Sequence, residues 1–262
     1  MAESTALQRA VWSIRSALYV LFLALTVIPY ALAVVFLSIF IRGNRLYWFT
    51  IVWLNLATWG AKAICGVRHR MLGLDNLAIA DKAGPIVLCP KHQSAWETFA
   101  FPGLMPHPLA YVFKRELLYI PFFGWAMGRL DMIHIDRKQK SRAWAKVSRQ
   151  GQQFMKQGNW VIMFPEGTRA ERGGQEPYKS GASRLAIGAG ASILPIAVTS
   201  ARCWPRKSFM LRPGVVDVSV GPLIASAGRR PDEMMAEVEA WIEAEMRRLD
   251  PAAYIDKPGS AP

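Results

Sequence analysis

Between Arg15 and Arg42 the chain runs for 26 residues without a charge. As one helix that run would measure about 39 Å, enough to cross the hydrocarbon core of a bilayer. Pro29 stands near its middle and is expected to kink the helix or divide it. After a polar link at 42–45, a second uncharged stretch covers 46–61 and carries Trp48, Trp53 and Trp59. That stretch is short for a span, and tryptophan favours the headgroup level. A spanning hairpin would also put Arg42 and Arg45 on the far side, against the positive-inside tendency. The pattern predicts two helices over 1–62 that embed in, or lie along, one leaflet. A cleaved signal peptide competes with this, with Arg9 and Arg15 at its start and Ala31-Leu32-Ala33 as a small-x-small site. The apolar run continues past that site to Ile41, which favours the anchor.

Beyond residue 62 short apolar runs alternate with helical patterns, the rhythm of an α/β domain. Strands are expected over 86–89, 110–113, 132–135, 160–164, 193–198 and 215–220. A helix is expected over 140–157, with Gly158 placed to end it. Another is expected over 231–249, where Pro231, Asp232 and Glu233 mark the start and Arg247 and Arg248 the end. Met235, Val238, Ile242, Met246 and Leu249 give it one apolar face. The expected fold is α/β: a mixed, largely parallel central sheet flanked by helices over 63–250, behind an N-terminal two-helix membrane anchor. Residues 251–262 read as a flexible tail. Leu194-Pro195-Ile196 puts a proline inside a strand, which predicts an edge or a bend beside a site.

Composition narrows the partners. Lys and Arg number 32 against 19 Asp and Glu, a net charge of +13. This favours an anionic partner: nucleic acid, an anionic lipid surface or an acidic substrate. Cys65, Cys89 and Cys203 are too few and too scattered for a disulfide framework or a zinc site, so a reducing compartment is acceptable and no metal is expected.

Of four histidines, His69 (in a basic loop) and His134 (in a strand) read as structural, and the context of His92 differs. A buried strand ends near Cys89, Pro90 turns the chain, and a helix begins near Ser94. A histidine at the carboxyl end of a strand stands where α/β sheets place their ligand sites. Glu97 can accept a bond from His92 Nδ1–H, which fixes the tautomer and leaves Nε2 to take a proton from a hydroxyl. Five positions apart on one helix the two would diverge by about 140°. They meet only if His92 precedes the helix. Ser94-Ala-Trp-Glu97 also reads as a capping box, a competing use of the same carboxylate.

A second cluster, Phe164-Pro-Glu166-Gly167-Thr168-Arg169, follows a strand and can hold a phosphate through Arg169 and neighbouring N–H groups. Its plain alternative is a turn with a surface arginine. A third, Lys114-Arg-Glu116-Leu117 followed by Pro121-Phe-Phe-Gly124, puts cations just after another strand.

In order and spacing, Lys-His92-x-Ser-x-x-Glu97, Lys114-x-Glu-Leu-x-x-x-Pro-x-x-Gly124, Phe164-Pro-Glu-Gly-Thr-Arg169 and Leu194-Pro195-Ile196 resemble the 1-acylglycerol-3-phosphate acyltransferase family of the glycerolipid acyltransferase superfamily. The resemblance covers roughly residues 85–198, and the third block is its most specific part. The family's first block ends in aspartate where this chain has Glu97, one methylene longer.

The resemblance implies that His92 is the general base, oriented by Glu97, that deprotonates the sn-2 hydroxyl of lysophosphatidic acid. The acyl donor would be acyl-CoA or acyl carrier protein, with no further cofactor and no covalent acyl-enzyme. Lys114 and Arg169 would bind the acceptor phosphate, completed by Glu166, Gly167, Thr168 and Lys179. The lipid bilayer would be a partner and nucleic acid would not. The chain would sit on the inner membrane with its catalytic domain on the cytoplasmic side. Other lysolipid acceptors, such as a lyso-ornithine lipid or lysophospholipid, and a non-catalytic basic membrane-binding module are the alternatives.

Overall fold

The computed structural model describes residues 5–136 and 140–255. Helix α1 spans Ala6–Leu37, opened by a reciprocal Thr5–Gln8 capping box. It runs unbroken through Pro29, because one lost backbone bond does not divide so long an apolar run. Helix α2 spans Asn44–Cys65. Among the described residues only α1 is long and apolar enough to cross a membrane. The expected two-helix anchor is therefore corrected to one long helix.

The reason is what α2 packs against. It buries Ile51, Trp53, Ala57 and Cys65 on the domain and on α1. Polar bonds lock the two helices together: Trp53 Nε1–H donates to Thr26 Oγ1 at 3.1 Å, and the Tyr19 hydroxyl donates to the Ala57 carbonyl at 3.0 Å. Gly60 permits the close crossing, since a Cβ there would lie 2.5 Å from the Phe22 ring.

The remainder is a seven-stranded sheet, in order β1-β7-β6-β2-β5-β3-β4. The strands are β1 Val67–Leu72, β2 Ile86–Pro90, β3 Leu109–Lys114, β4 Ile133–Ile135, β5 Trp160–Ile162, β6 Ser192–Val198 and β7 Gly214–Val220. All neighbours are parallel except β6 and β7. The six expected strands are present, and β1 is additional.

Alternation along the central strands feeds two cores. Ile86, Leu88, Ile162, Leu194 and Ile196 pack with α1, α2 and α4 (Trp96–Leu104). Val87, Cys89, Val161, Ile193 and Ala197 pack with α6 (Lys140–Lys156), α7 (Gly181–Ala189) and α8 (Pro231–Leu249). Two short helices, α3 (Leu74–Lys82) and α5 (Phe123–Met127), complete the set. Tyr254, within the expected tail, is buried, and residues 256–262 lie outside the described ones.

Pro195 does not mark an edge; β6 is interior, between β7 and β2. The register passes from Ile196↔Val220 to Ile193↔Ile224, so three steps on β6 face four on the other chain segment. This bulge lies beside Pro195, whose carbonyl accepts the Gly221 N–H at 2.9 Å. The missing proline N–H thus falls where the antiparallel ladder is already interrupted.

Candidate active site

The chain leaves β2 for α4 on one face of the sheet and leaves β5 for α7 on the other. A crevice opens between the carboxyl ends of these adjacent parallel strands, the place where such sheets accept ligands. His92 stands at its base, two residues past β2 and ahead of α4.

His92 Nδ1 lies 2.7 Å from Glu97 Oε2, so the ring donates from Nδ1 and Nε2 is the acceptor. The ring stacks on Phe164, centroids 3.8 Å apart. Nε2 has no protein partner among the described residues, and His92 lines the cavity. The Glu97 carboxylate is fully buried and collects four donors. Besides the imidazole these are the Gln93 N–H at 3.1 Å, the Ser94 N–H at 2.9 Å and the Ser200 hydroxyl. Orienting the histidine and binding the Gln93 and Ser94 N–H groups ahead of α4 are therefore one arrangement. The carboxylate serves both because His92 precedes α4 and the chain turns between them. The expected capping box is not closed, since Ser94 Oγ accepts the Trp96 N–H and α4 has no side-chain cap.

Behind the histidine lies a buried ionic network. Lys91 Nζ is 2.8 Å from Glu166 Oε1, 2.6 Å from Glu243 Oε1 on α8 and 3.2 Å from the Gly174 carbonyl. The Tyr178 hydroxyl donates to the same Glu243 oxygen at 2.9 Å. Lys91 is completely inaccessible, which a lysine tolerates only when paired. Burial pushes the Glu166 carboxyl up to about 7, opposed by the Lys91 charge. Glu166 Oε2 accepts the His92 backbone N–H at 2.7 Å, and the Ala170 N–H donates to the His92 carbonyl at 2.7 Å. The 164–170 loop thus grips the main chain of His92 from both ends of the residue.

His92 opens onto a cavity of about 1060 Å³. Lys114, Gly167, Thr168, Arg169 and Lys179 line it as well, so the structure brings six of the eight expected site residues to one space. Glu97 and Glu166 are placed behind it. Lys114, Arg169 and Lys179 have no carboxylate partner among the described residues, which leaves their charge available to an anion. Two glycines shape this wall. Gly124 approaches the Leu117 and Leu118 carbonyls, where a Cβ would sit at 2.5 Å from each, and Gly167 adopts φ +66° in the loop. Apolar side chains line the same cavity: Val27, Tyr30, Ala31 and Val34 of α1, with Trp53, Leu54 and Phe99.

Sequence reasoning did not single out Lys91, Ser200 or Glu243. The signal for Lys91 was a lysine set among wholly buried neighbours. For Glu243 it was a carboxylate adjoining the apolar stripe of α8.

A strand-end histidine paired with a buried carboxylate, over a cavity lined by cations and by apolar side chains, is the architecture of an acyltransferase acting on amphiphiles. Residues 71–199, from β1 to the end of β6, match the Acyltransferase family model. A Pseudomonas aeruginosa protein named 1-acyl-sn-glycerol-3-phosphate acyltransferase is 36% identical over 92% of this chain and 93% of its own length. The mouse protein named 1-acyl-sn-glycerol-3-phosphate acyltransferase alpha is 30% identical over 83% of this chain and 73% of its own. The crystal structure of the 1-acyl-sn-glycerophosphate (LPA) acyltransferase PlsC from Thermotoga maritima shares the fold. It aligns with a TM-score of 0.73 at 22% identity, covering 92% of this chain and 98% of that one. The chain belongs to the 1-acyl-sn-glycerol-3-phosphate acyltransferase family.

Proposed function

We propose that the protein moves an acyl group from a thioester donor, acyl-CoA or acyl carrier protein, to the sn-2 hydroxyl of 1-acylglycerol-3-phosphate, giving phosphatidic acid. The observation that carries this is the unpartnered His92 Nε2, on a histidine at a cavity lined both by unspent cations and by aliphatic and aromatic side chains.

His92 Nε2 takes the hydroxyl proton as the oxygen attacks the thioester carbonyl. Glu97 holds the tautomer and stabilises the imidazolium that forms. Collapse of the tetrahedral intermediate breaks the C–S bond, and the imidazolium returns its proton to the departing thiolate. The products are phosphatidate and a free thiol, so atoms and charge balance without a further cofactor. Lys114, Arg169 and Lys179, with the loop at Gly167 and Thr168, hold the acceptor phosphate. The apolar lining takes up lipid chains.

The setting is a membrane surface. Helix α1 leaves most of its apolar length unburied and exposes Leu18, Leu21, Leu25, Ile28, Leu32 and Phe36. This row suits insertion into a leaflet, and the basic chain suits an anionic one. Both lipids are then already at the interface. We place the protein on the inner membrane with its catalytic domain in the cytoplasm, where the thioester donors are available.

Acyl transfer by purified, detergent-solubilised protein tests the reading, with wild type beside His92→Ala. One labelled acyl thioester is offered to lysophosphatidate, other lysophospholipids and lyso-ornithine lipid. Preferred, His92-dependent acylation of lysophosphatidate is expected. Preferred use of another acceptor would refute the substrate, and folded protein inactive on all of them would refute the chemistry.

A further inference from the structure

Two more cations line the same cavity and are not among those assigned above to the acceptor phosphate: Arg206 and Lys207. Their position follows from strand order. Along the carboxyl edge of the sheet β6, β2, β5 and β3 are successive neighbours. The segment after β6 carries Arg206 and Lys207, β2 leads to His92, β5 to Arg169, and β3 ends in Lys114. The base is therefore flanked by cations on both sides.

A transfer between two phosphate-bearing reactants has a use for two separate poles, since the two anions repel each other if crowded together. In lysophosphatidate the phosphate is a few bonds from the reacting hydroxyl, so it belongs at the pole nearer the base. Arg169 directly precedes Ala170, whose N–H is bonded to the His92 carbonyl, and it meets that need. In a thioester donor the phosphate is separated from the acyl carbon by the long pantetheine arm. It belongs at the other pole.

That pole is built into the fold. Lys207 takes φ +58°, a conformation uncommon for side-chain-bearing residues. The turn that presents it is tied down by Ser208 N–H to the Pro205 carbonyl (3.2 Å) and Arg212 N–H to the Cys203 carbonyl (2.8 Å). Leu211 N–H reaches Ser16 Oγ on α1 at 2.9 Å. The nearest carboxylate to Arg206 is Glu176, at 3.9 Å, and Lys207 forms no ion pair among the described residues.

We propose that Arg206 and Lys207 bind the phosphate of the donor's 4′-phosphopantetheine arm, a group common to CoA and acyl carrier protein. This rests on the acyl-transfer reading above and assigns its second substrate a site.

The test compares the full-length, detergent-solubilised protein with the double variant Arg206→Gln/Lys207→Gln, using 4′-phosphopantetheine and unphosphorylated pantetheine as probes. Wild type should prefer the phosphorylated probe. The double variant should lose about 10- to 100-fold in its affinity and leave pantetheine unchanged. In turnover, KM for acyl-CoA and for acyl carrier protein should both rise by that order, with KM for lysophosphatidate within about twofold.

A raised KM for lysophosphatidate with donor KM unchanged would overturn the proposal in favour of an acceptor contact. A rise for acyl-CoA alone would do so in favour of its nucleotide end. Weaker binding to anionic vesicles with both KM values unchanged would make the pair a membrane contact. Pair-dependent phosphopantetheine binding by a wild type that does not acylate lysophosphatidate would keep this site and remove the acceptor assignment instead.

Discussion

One oxygen of Glu166 accepts the backbone N–H of His92 at 2.7 Å while the other lies 2.8 Å from Lys91 Nζ. The histidine is thus held by its side chain through Glu97 and by its main chain through Glu166. A base whose ring and backbone are separately fixed is positioned before substrate arrives, which is what proton transfer at a defined distance requires.

Lys91→Met removes the cation that Glu166 and Glu243 share. Two buried carboxylates are left without it, and a broken buried pair costs about 3–5 kcal/mol. Denaturant melts should show a loss of this size, and adding Glu243→Gln should recover part of it. A change under about 1 kcal/mol in the single variant would mean that the network contributes little.

The Glu166 carboxyl also gives the fold a pH dependence. Its folded value of about 7 lies above the ordinary 4.5, so between these limits the folded state holds the proton more tightly. The contribution of this group is full below about 4.5 and declines as pH rises to about 7, by at most about 1.4 kcal/mol per pH unit. Glu166→Gln lacks this slope. Measured against the variant, wild type should become progressively less stable across that window, and parallel curves would contradict the assignment.

Glu97→Gln places an amide N–H₂ among groups that all donate. We expect a melting midpoint lower by several degrees, since bonds to a buried charge contribute about 1.5–3 kcal/mol each. A fall in kcat of at least about tenfold should accompany it as the imidazole loses its orienting partner. Full activity in a variant that merely melts earlier would leave Glu97 with only its structural role at the Gln93 and Ser94 N–H groups.

Arg169→Ala should raise KM for lysophosphatidate about 10- to 100-fold, the loss expected for a charge-assisted contact to phosphate. KM for the thioester should move little. Equal losses toward both substrates would argue against a phosphate contact at this residue.

The sheet was legible wherever apolar runs were compact. The run at 86–90 is buried on both faces and stands out for that reason. Strand β1 was not legible because it is an edge: Arg68, His69 and Arg70 are exposed, and a solvated strand leaves no apolar pattern. Of the edge or bend that Pro195 predicts, the edge is absent, and the bulge that accommodates the proline involves Gly221 and Ile224, a pairing that sequence order does not display. The anchor was overcounted because the apolar surface of α2 looks alike whether it meets lipid or protein. The motif residues around His92 could be read because they are close in sequence. Glu243 could not be tied to Lys91, since their bond joins residues 152 apart.

Val27, Tyr30, Ala31 and Val34 of α1 form part of the cavity wall, which makes that helix something other than an interchangeable tether. Cutting it away to obtain a soluble enzyme would open the reaction chamber along one side and wet the surface meant for hydrocarbon. A chimera carrying another hydrophobic helix would, on the proposed reading, keep its attachment and still have a differently shaped chamber. On that reading attachment and selectivity are therefore inherited together, in the same helix.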